Sequence, residues 1–209
     1  MKFFRNIRWK NLSIGLKYSV SLLISIFLFM LSAAFVYGLM GNVNKNIEIV
    51  EQKTSYVEKI LDMSANFNEI DALTYDYITY LSPETVESFK SKIDQFNEGL
   101  VLLKEVPELQ EYQELLEKIS NNVSKINHMF IDEIVPAANR HLKVEYMMKR
   151  KEVASLKTVT VNDLQEVKEI ITAQKEGSVK EAKSSLKLTI LVLIISIAVS
   201  SALGFLIMF

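Results

Sequence analysis

Apolar positions recur along the middle of this chain at spacings of three and four. Val86, Phe89, Ile93, Phe96, Leu100 and Leu103 make one such stripe. Leu109, Tyr112, Leu116, Ile119, Val123, Ile126 and Phe130 make a second. Each predicts a helix with one face turned to partner helices. Ser82, Pro83 and Glu84 suit a helix start: an N-cap hydroxyl, a proline at the first helical position and an acid at the positive dipole end. Pro107 suits a second start after a short break at Val106.

Upstream, the stripe runs through Val50, Thr54, Val57, Leu61, Phe67, Ile70, Leu73, Tyr77 and Leu81, with slips. Downstream, Val153, Leu156, Leu164, Val167, Ile171 and Ala182 mark a last helix. Pro136 predicts an end or kink of the third helix, and a turn is expected near residues 137–141. The run from Thr158 to Val161 has strand propensity. With no partner strand and a helical stripe on both sides, it reads as helix; a kink or local break there stays open as an alternative, in which case Asn162 or Asp163 could cap a fresh start.

Two segments escape this pattern because they carry no charge. Tyr18–Gly41 has 24 residues, about 36 Å as a helix against a bilayer core of about 30 Å. Leu188–Phe209 has 22, of which fourteen are Leu, Ile, Val or Phe. Both read as transmembrane helices. Small residues at spacing four (Ala34 and Gly38; Ser196, Ser200 and Gly204) are candidates for close helix packing in the membrane.

The expected fold is all-α: an elongated antiparallel up-down four-helix bundle flanked by two transmembrane helices. Residues 1–17 form a basic start, 18–41 the first span, 42–187 the bundle and 188–209 the second span. The bundle helices are expected at about 42–80, 83–105, 107–136 and 141–187. The last of these flows into the second span.

Charge refines the picture. The net charge of −1 over 209 residues conceals a partition. Residues 1–17 carry +5 and residues 45–187 carry −6. The positive-inside rule places the N-terminus in the cytoplasm and residues 42–187 outside it, in a two-span cell-membrane protein. Absence of Cys excludes disulfides and thiolate metal sites, and two His leave little for histidine chemistry. The basic start is too short for a nucleic-acid surface. No nucleophile elbow, zinc helix or phosphate loop occurs, so no enzyme activity and no cofactor or metal are expected. Glu105, Glu108, Glu111, Glu114 and Glu117 drift around a helix and read as a solvated face. The candidate ligand-binding residues are Arg140, Lys143 and Arg150. They stand in a basic cluster with Lys149, Lys151 and Lys157, and guanidinium groups suit carboxylates.

This layout resembles the N-terminal sensory region of bacterial methyl-accepting chemotaxis receptors with a four-helix-bundle ligand-binding domain. The resemblance rests on the start Lys10-Asn11-Leu12-Ser13-Ile14 with Lys17, the first span, the helical block, and Glu166–Gln174 leading through Lys180–Lys187 into the second span. The same module also occurs on sensor histidine kinases and diguanylate cyclases. The resemblance implies a homodimer in a bacterial membrane. A small-molecule or protein signal would shift the last helix relative to the first; Gly177 within that helix reads as a tolerated glycine, with a soft point as the alternative. It also implies a relay domain and cytoplasmic coiled coil after Phe209, so the chain is expected to be a fragment or truncated product. A membrane-anchored structural bundle with no small-molecule ligand is the alternative.

Overall fold

The computed structural model describes residues 13–208, with side-chain surroundings through residue 202. Among these residues there is no strand. The helices are α1 (Ile14–Tyr80), α2 (Pro83–Lys104), α3 (Gln113–His128), α4 (Val135–Asn139) and α5 (Lys143–Met208). A 3-10 turn (Pro107–Tyr112) leads into α3, and a π-helical turn (Met129–Ile134) joins α3 to α4. Lys2, Arg5, Arg8, Trp9, Lys10, Asn11 and Leu12 lie outside the described residues.

Helix ends show how local chemistry sets the boundaries. Ser82 occupies the N-cap of α2 with extended backbone and Pro83 follows it. Its hydroxyl, however, donates to Glu84 Oε2 at 2.9 Å instead of accepting a backbone N–H. At the far end, the Lys104 carbonyl accepts from Gln110 Nε2 at 3.2 Å and Gln113 Nε2 at 3.4 Å. Those amides satisfy a carbonyl that the ended helix leaves open.

Pro136 does not end the third arm (residues 107–139, comprising the 3-10 turn, α3, the π turn and α4), which continues to Asn139. The π turn precedes it, with Val135 N–H bonding five residues back to Phe130 O. A wider turn here gives the proline ring room where it would meet the carbonyl of residue 132. Residues 158–161 are helical throughout. Thr158 and Thr160 return their hydroxyls to the carbonyls of Ala154 and Leu156 at 2.9 Å, which meets the polar demand without a break. Asn162 and Asp163 therefore cap nothing.

Residues 51–175 form one compact unit. Its core draws Ile60, Met63, Phe67, Ile70 and Tyr77 from α1, and Phe89, Ile93, Phe96, Leu100 and Leu103 from α2. The third arm adds Leu109, Leu116, Ile119, Val123, Ile126 and Phe130; α5 adds Val153, Leu164, Val167 and Ile171. The stripe expected on α1 needs one correction. Leu61 is 49% exposed, and Ile60 and Met63 take the core positions. At about 100° per residue, Ile60 lies about 20° from Phe67 around the helix and Leu61 about 120°, so Ile60 shares the core face.

Pairings fix the packing. Phe67 meets Phe96 at 4.7 Å between centroids, and Lys92 pairs with Glu69 at 2.8 Å. Gly99 sits so close to Met63 that a Cβ there would lie 2.6 Å from the sulfur. Along α1 and α2 the partner numbers run in opposite directions. The same holds for the third arm and α5: Lys118 with Asp163 at 2.7 Å, Lys125 with Glu152 at 3.0 Å, and Glu133 with Lys149 at 2.6 Å.

Residues 13–50 and 176–208 belong to a second unit. Here α1 and α5 each contain a stretch long and apolar enough to cross a membrane, and only 6% of either stretch is buried. Phe27, Met30, Ile194 and Ile197 are all more than half exposed. So much outward-facing hydrocarbon needs cover from lipid or another chain. Between the helices, Ser196 donates to the Val192 carbonyl at 2.8 Å and its oxygen lies 2.5 Å from Ser32 Oγ. Val43 and Thr189 are buried in the same unit.

Candidate functional site

The candidate binding residues lie at and after the turn joining α4 to α5. That turn is a Schellman motif. His141 N–H bonds the Ala138 carbonyl at 3.0 Å and Leu142 N–H the Ala137 carbonyl at 2.9 Å. His141 takes the left-handed position at φ 57°, where glycine is usual. The motif satisfies the last carbonyls of α4 and reverses the chain, which sets Lys143 at the first position of α5.

Arg140 and Lys143 are exposed. Lys143 lines an open cleft of about 590 Å³ with His141, Leu142, Val144, Glu145, Met148 and Lys149. Arg140 is not among its lining residues. Its floor is largely apolar, because Leu142, Val144 and Met148 stay 43%, 76% and 65% exposed.

Two further members of the basic cluster, Lys149 and Arg150, are already paired. Arg150 turns to α1, with Nη2 3.5 Å from Asp71 Oδ1 and the guanidinium 5.0 Å above the Tyr75 ring. Its Nε and that Asp71 oxygen are both buried without a hydrogen bond. The pair is thus close but poorly aligned, an electrostatic contact with unused donor and acceptor capacity. Lys149 donates to Glu133 and also approaches Glu152 at 3.7 Å. The Glu133 bond, opposed by partial desolvation, holds the Lys149 ammonium above its usual range. The Lys125 bond lowers Glu152 below the ordinary carboxylate range.

The π turn adds a feature that periodicity does not reveal. It sets His128 Nδ1 3.5 Å from Glu133 Oε1, five residues on, while Nε2 lies 3.9 Å from Asp132. Residues five apart point away from each other on a regular α-helix and come together on the wider turn. Asp163 is also new. Its side chain is 9% exposed, and Lys118 meets one oxygen while the other has no hydrogen-bond partner. The sequence pattern offered it a capping role only in the event of a break at residues 158–161.

In the apolar unit, Ser196 meets Ser32, and Ser200 has a buried hydroxyl with no hydrogen-bond partner. Ala34 and Gly38 face outward, and a Cβ on Gly38 would meet nothing within 4 Å. The side-chain surroundings of Gly204 lie outside the described residues. Among the described residues no three His, Asp or Glu side chains gather as a metal-binding group.

No family model, no curated protein and no solved structure matches the chain.

Proposed function

We propose that the chain is the sensory input module of a transmembrane receptor of the chemoreceptor kind. In this reading the four helical arms form an up-down-up-down bundle outside a bacterial cell membrane. The two apolar segments span that membrane and residues 1–17 face the cytoplasm. Two copies work as a dimer, and binding near the α4–α5 turn shifts α5 against α1 by on the order of 1–2 Å.

The observation that supports this best is the continuity of α5 from Lys143 to Met208. One hydrogen-bonded helix carries both the residues after the turn and the apolar segment. A displacement at its start need not be absorbed by a loop. The signal chemistry favoured by Arg140 and Lys143 is a carboxylate, because both cations are exposed and Lys143 adjoins the cleft.

The test is thermal denaturation of the full chain in nanodiscs with a panel of mono- and dicarboxylates. A ligand at a hundred times its Kd stabilises by about 2.7 kcal/mol, enough to raise Tm by several degrees. The Arg140→Ala, Lys143→Ala variant should lose that rise. No shift with any carboxylate, or an equal shift in the variant, refutes carboxylate sensing at this turn.

A second reading is a membrane-anchored structural bundle with no small ligand. The internal pairing of Lys149 and Arg150 favours it, since cations engaged with Glu133 and Asp71 are not offered to a solute.

A further inference from the structure

Where α1 and α5 emerge from their apolar stretches, a polar groove of about 460 Å³ opens between them. Asn42, Lys45, Asn46 and Ile49 line it from α1, and Glu181, Ser184 and Ser185 from α5. Beside it Val43 and Thr189 are buried, and the Thr189 hydroxyl donates to Ser185 O at 2.9 Å. Lys45 and Glu181 are both exposed, and among the described residues neither is joined to an ion-pair partner. One cation and one anion therefore share a groove otherwise lined by neutral amides, hydroxyls and Ile49.

Depth decides what this groove meets, and here the argument rests on the two-span reading above. Asn42 is the first residue beyond 18–41, and Glu181–Ser185 end three residues before 188. At 1.5 Å per residue the lining spans roughly the first 10 Å outside the hydrocarbon. The headgroup layer on each face is about 5–7 Å thick. The groove thus lies largely where phosphates and their head alcohols lie.

We propose that the groove is a binding site for a phosphatidylethanolamine headgroup, with the lipid phosphate against Lys45 and the ammonium against Glu181. The charge pattern selects within the lipids. A phosphate alone would be served by Lys45, but leaves Glu181 facing an anion. A choline head carries the positive charge but has no N–H to donate to a carboxylate. An ethanolamine head supplies three such donors, and the Asn and Ser groups can take up the remainder.

The test uses the full chain reconstituted in vesicles of equal parts phosphatidylethanolamine, phosphatidylcholine and phosphatidylglycerol. Flotation confirms residence in the bilayer, and mass spectrometry identifies lipids retained after gentle detergent release. Retained phosphatidylethanolamine should exceed phosphatidylcholine by about two- to fivefold, the range one exposed charge pair supplies. Glu181→Gln should abolish that enrichment and Glu181→Asp should keep it. Lys45→Gln should lower retention of all three lipids, and Lys45→Arg should restore it. These are exposed positions, and circular dichroism checks that each variant keeps its helix content. Equal retention, enrichment of phosphatidylglycerol instead, or enrichment that survives Glu181→Gln overturns the proposal while leaving the membrane reading intact. A chain that fails to float with vesicles overturns both.

Discussion

Phe130 is the most informative residue to remove. Its side chain is fully buried in the π turn. The ring stacks on Phe89 at 3.8 Å and 23°, and meets Tyr77 edge-on at 5.7 Å and 78°. It therefore ties the third arm to both α2 and α1. Truncating a buried Phe to Ala costs about 3–5 kcal/mol through lost transfer energy and the cavity left behind. A folded domain has only about 5–15 kcal/mol in total. With a urea slope of about 2 kcal/mol/M, Phe130→Ala should lower the unfolding midpoint by about 2 M. Pulse proteolysis of the full chain in nanodiscs reads this directly, because apolar segments held in lipid do not contribute. A cycle with Phe89→Leu should show coupling of about 0.5–1.5 kcal/mol. A loss below about 1 kcal/mol, where surface substitutions fall, or strict additivity with Phe89→Leu, would refute this packing.

Three further outcomes are expected. His141→Gly should stabilise by about 0.5–1 kcal/mol because φ 57° is costly for any residue with a Cβ; an unchanged or lower midpoint would count against the Schellman turn. Lys118→Met should destabilise by about 1–2 kcal/mol by stranding the buried Asp163 carboxylate, discounted because Lys118 is half exposed. Adding Asp163→Leu should recover the loss, and failure to recover it would contradict a buried pair. The Lys125–Glu152–Lys149–Glu133 chain should leave its mark at both pH extremes. Glu152 is lowered, so its contribution is complete above the ordinary value of 4.5 and lost as pH falls through the depressed one. Lys149 is raised, so its contribution is complete below 10.5 and lost as pH rises through the elevated value. The Tm difference between wild type and Glu152→Gln should therefore be flat through neutral pH and vanish in acid; a difference that persists in acid refutes this.

The core of α2 and the third arm was legible from residue spacing alone. Phe89, Ile93, Phe96, Leu100, Leu116, Ile119, Val123 and Ile126 stand at heptad positions, and all are buried. Burial at a regular period is a local property, so sequence carries it. The phase of α1 was harder, because Leu61 and Ile60 are equally apolar neighbours and only packing chooses between them. The π turn was legible only as the end or kink expected at Pro136, since nothing in Met129–Ile134 itself forbids an ordinary helix. Pairing was the least accessible. Arg150 reads as a free cation until Asp71, 79 positions away, is placed beside it. Asp163 reads as an ordinary polar helix position until Lys118 is placed beside it. Long-range partners depend on register between helices, and periodicity gives faces without registers.

The central claim is that binding near the α4–α5 turn moves α5 against α1 in the apolar unit. The chain has no native cysteine, so Ser32→Cys with Ser196→Cys introduces a single reporter pair where the two hydroxyls now meet. The measurement is the rate of disulfide formation in membranes, with and without a saturating carboxylate that raises Tm. A shift of on the order of 1–2 Å is large against disulfide geometry, so the rate should change severalfold on binding. An identical rate with the ligand bound would contradict the account.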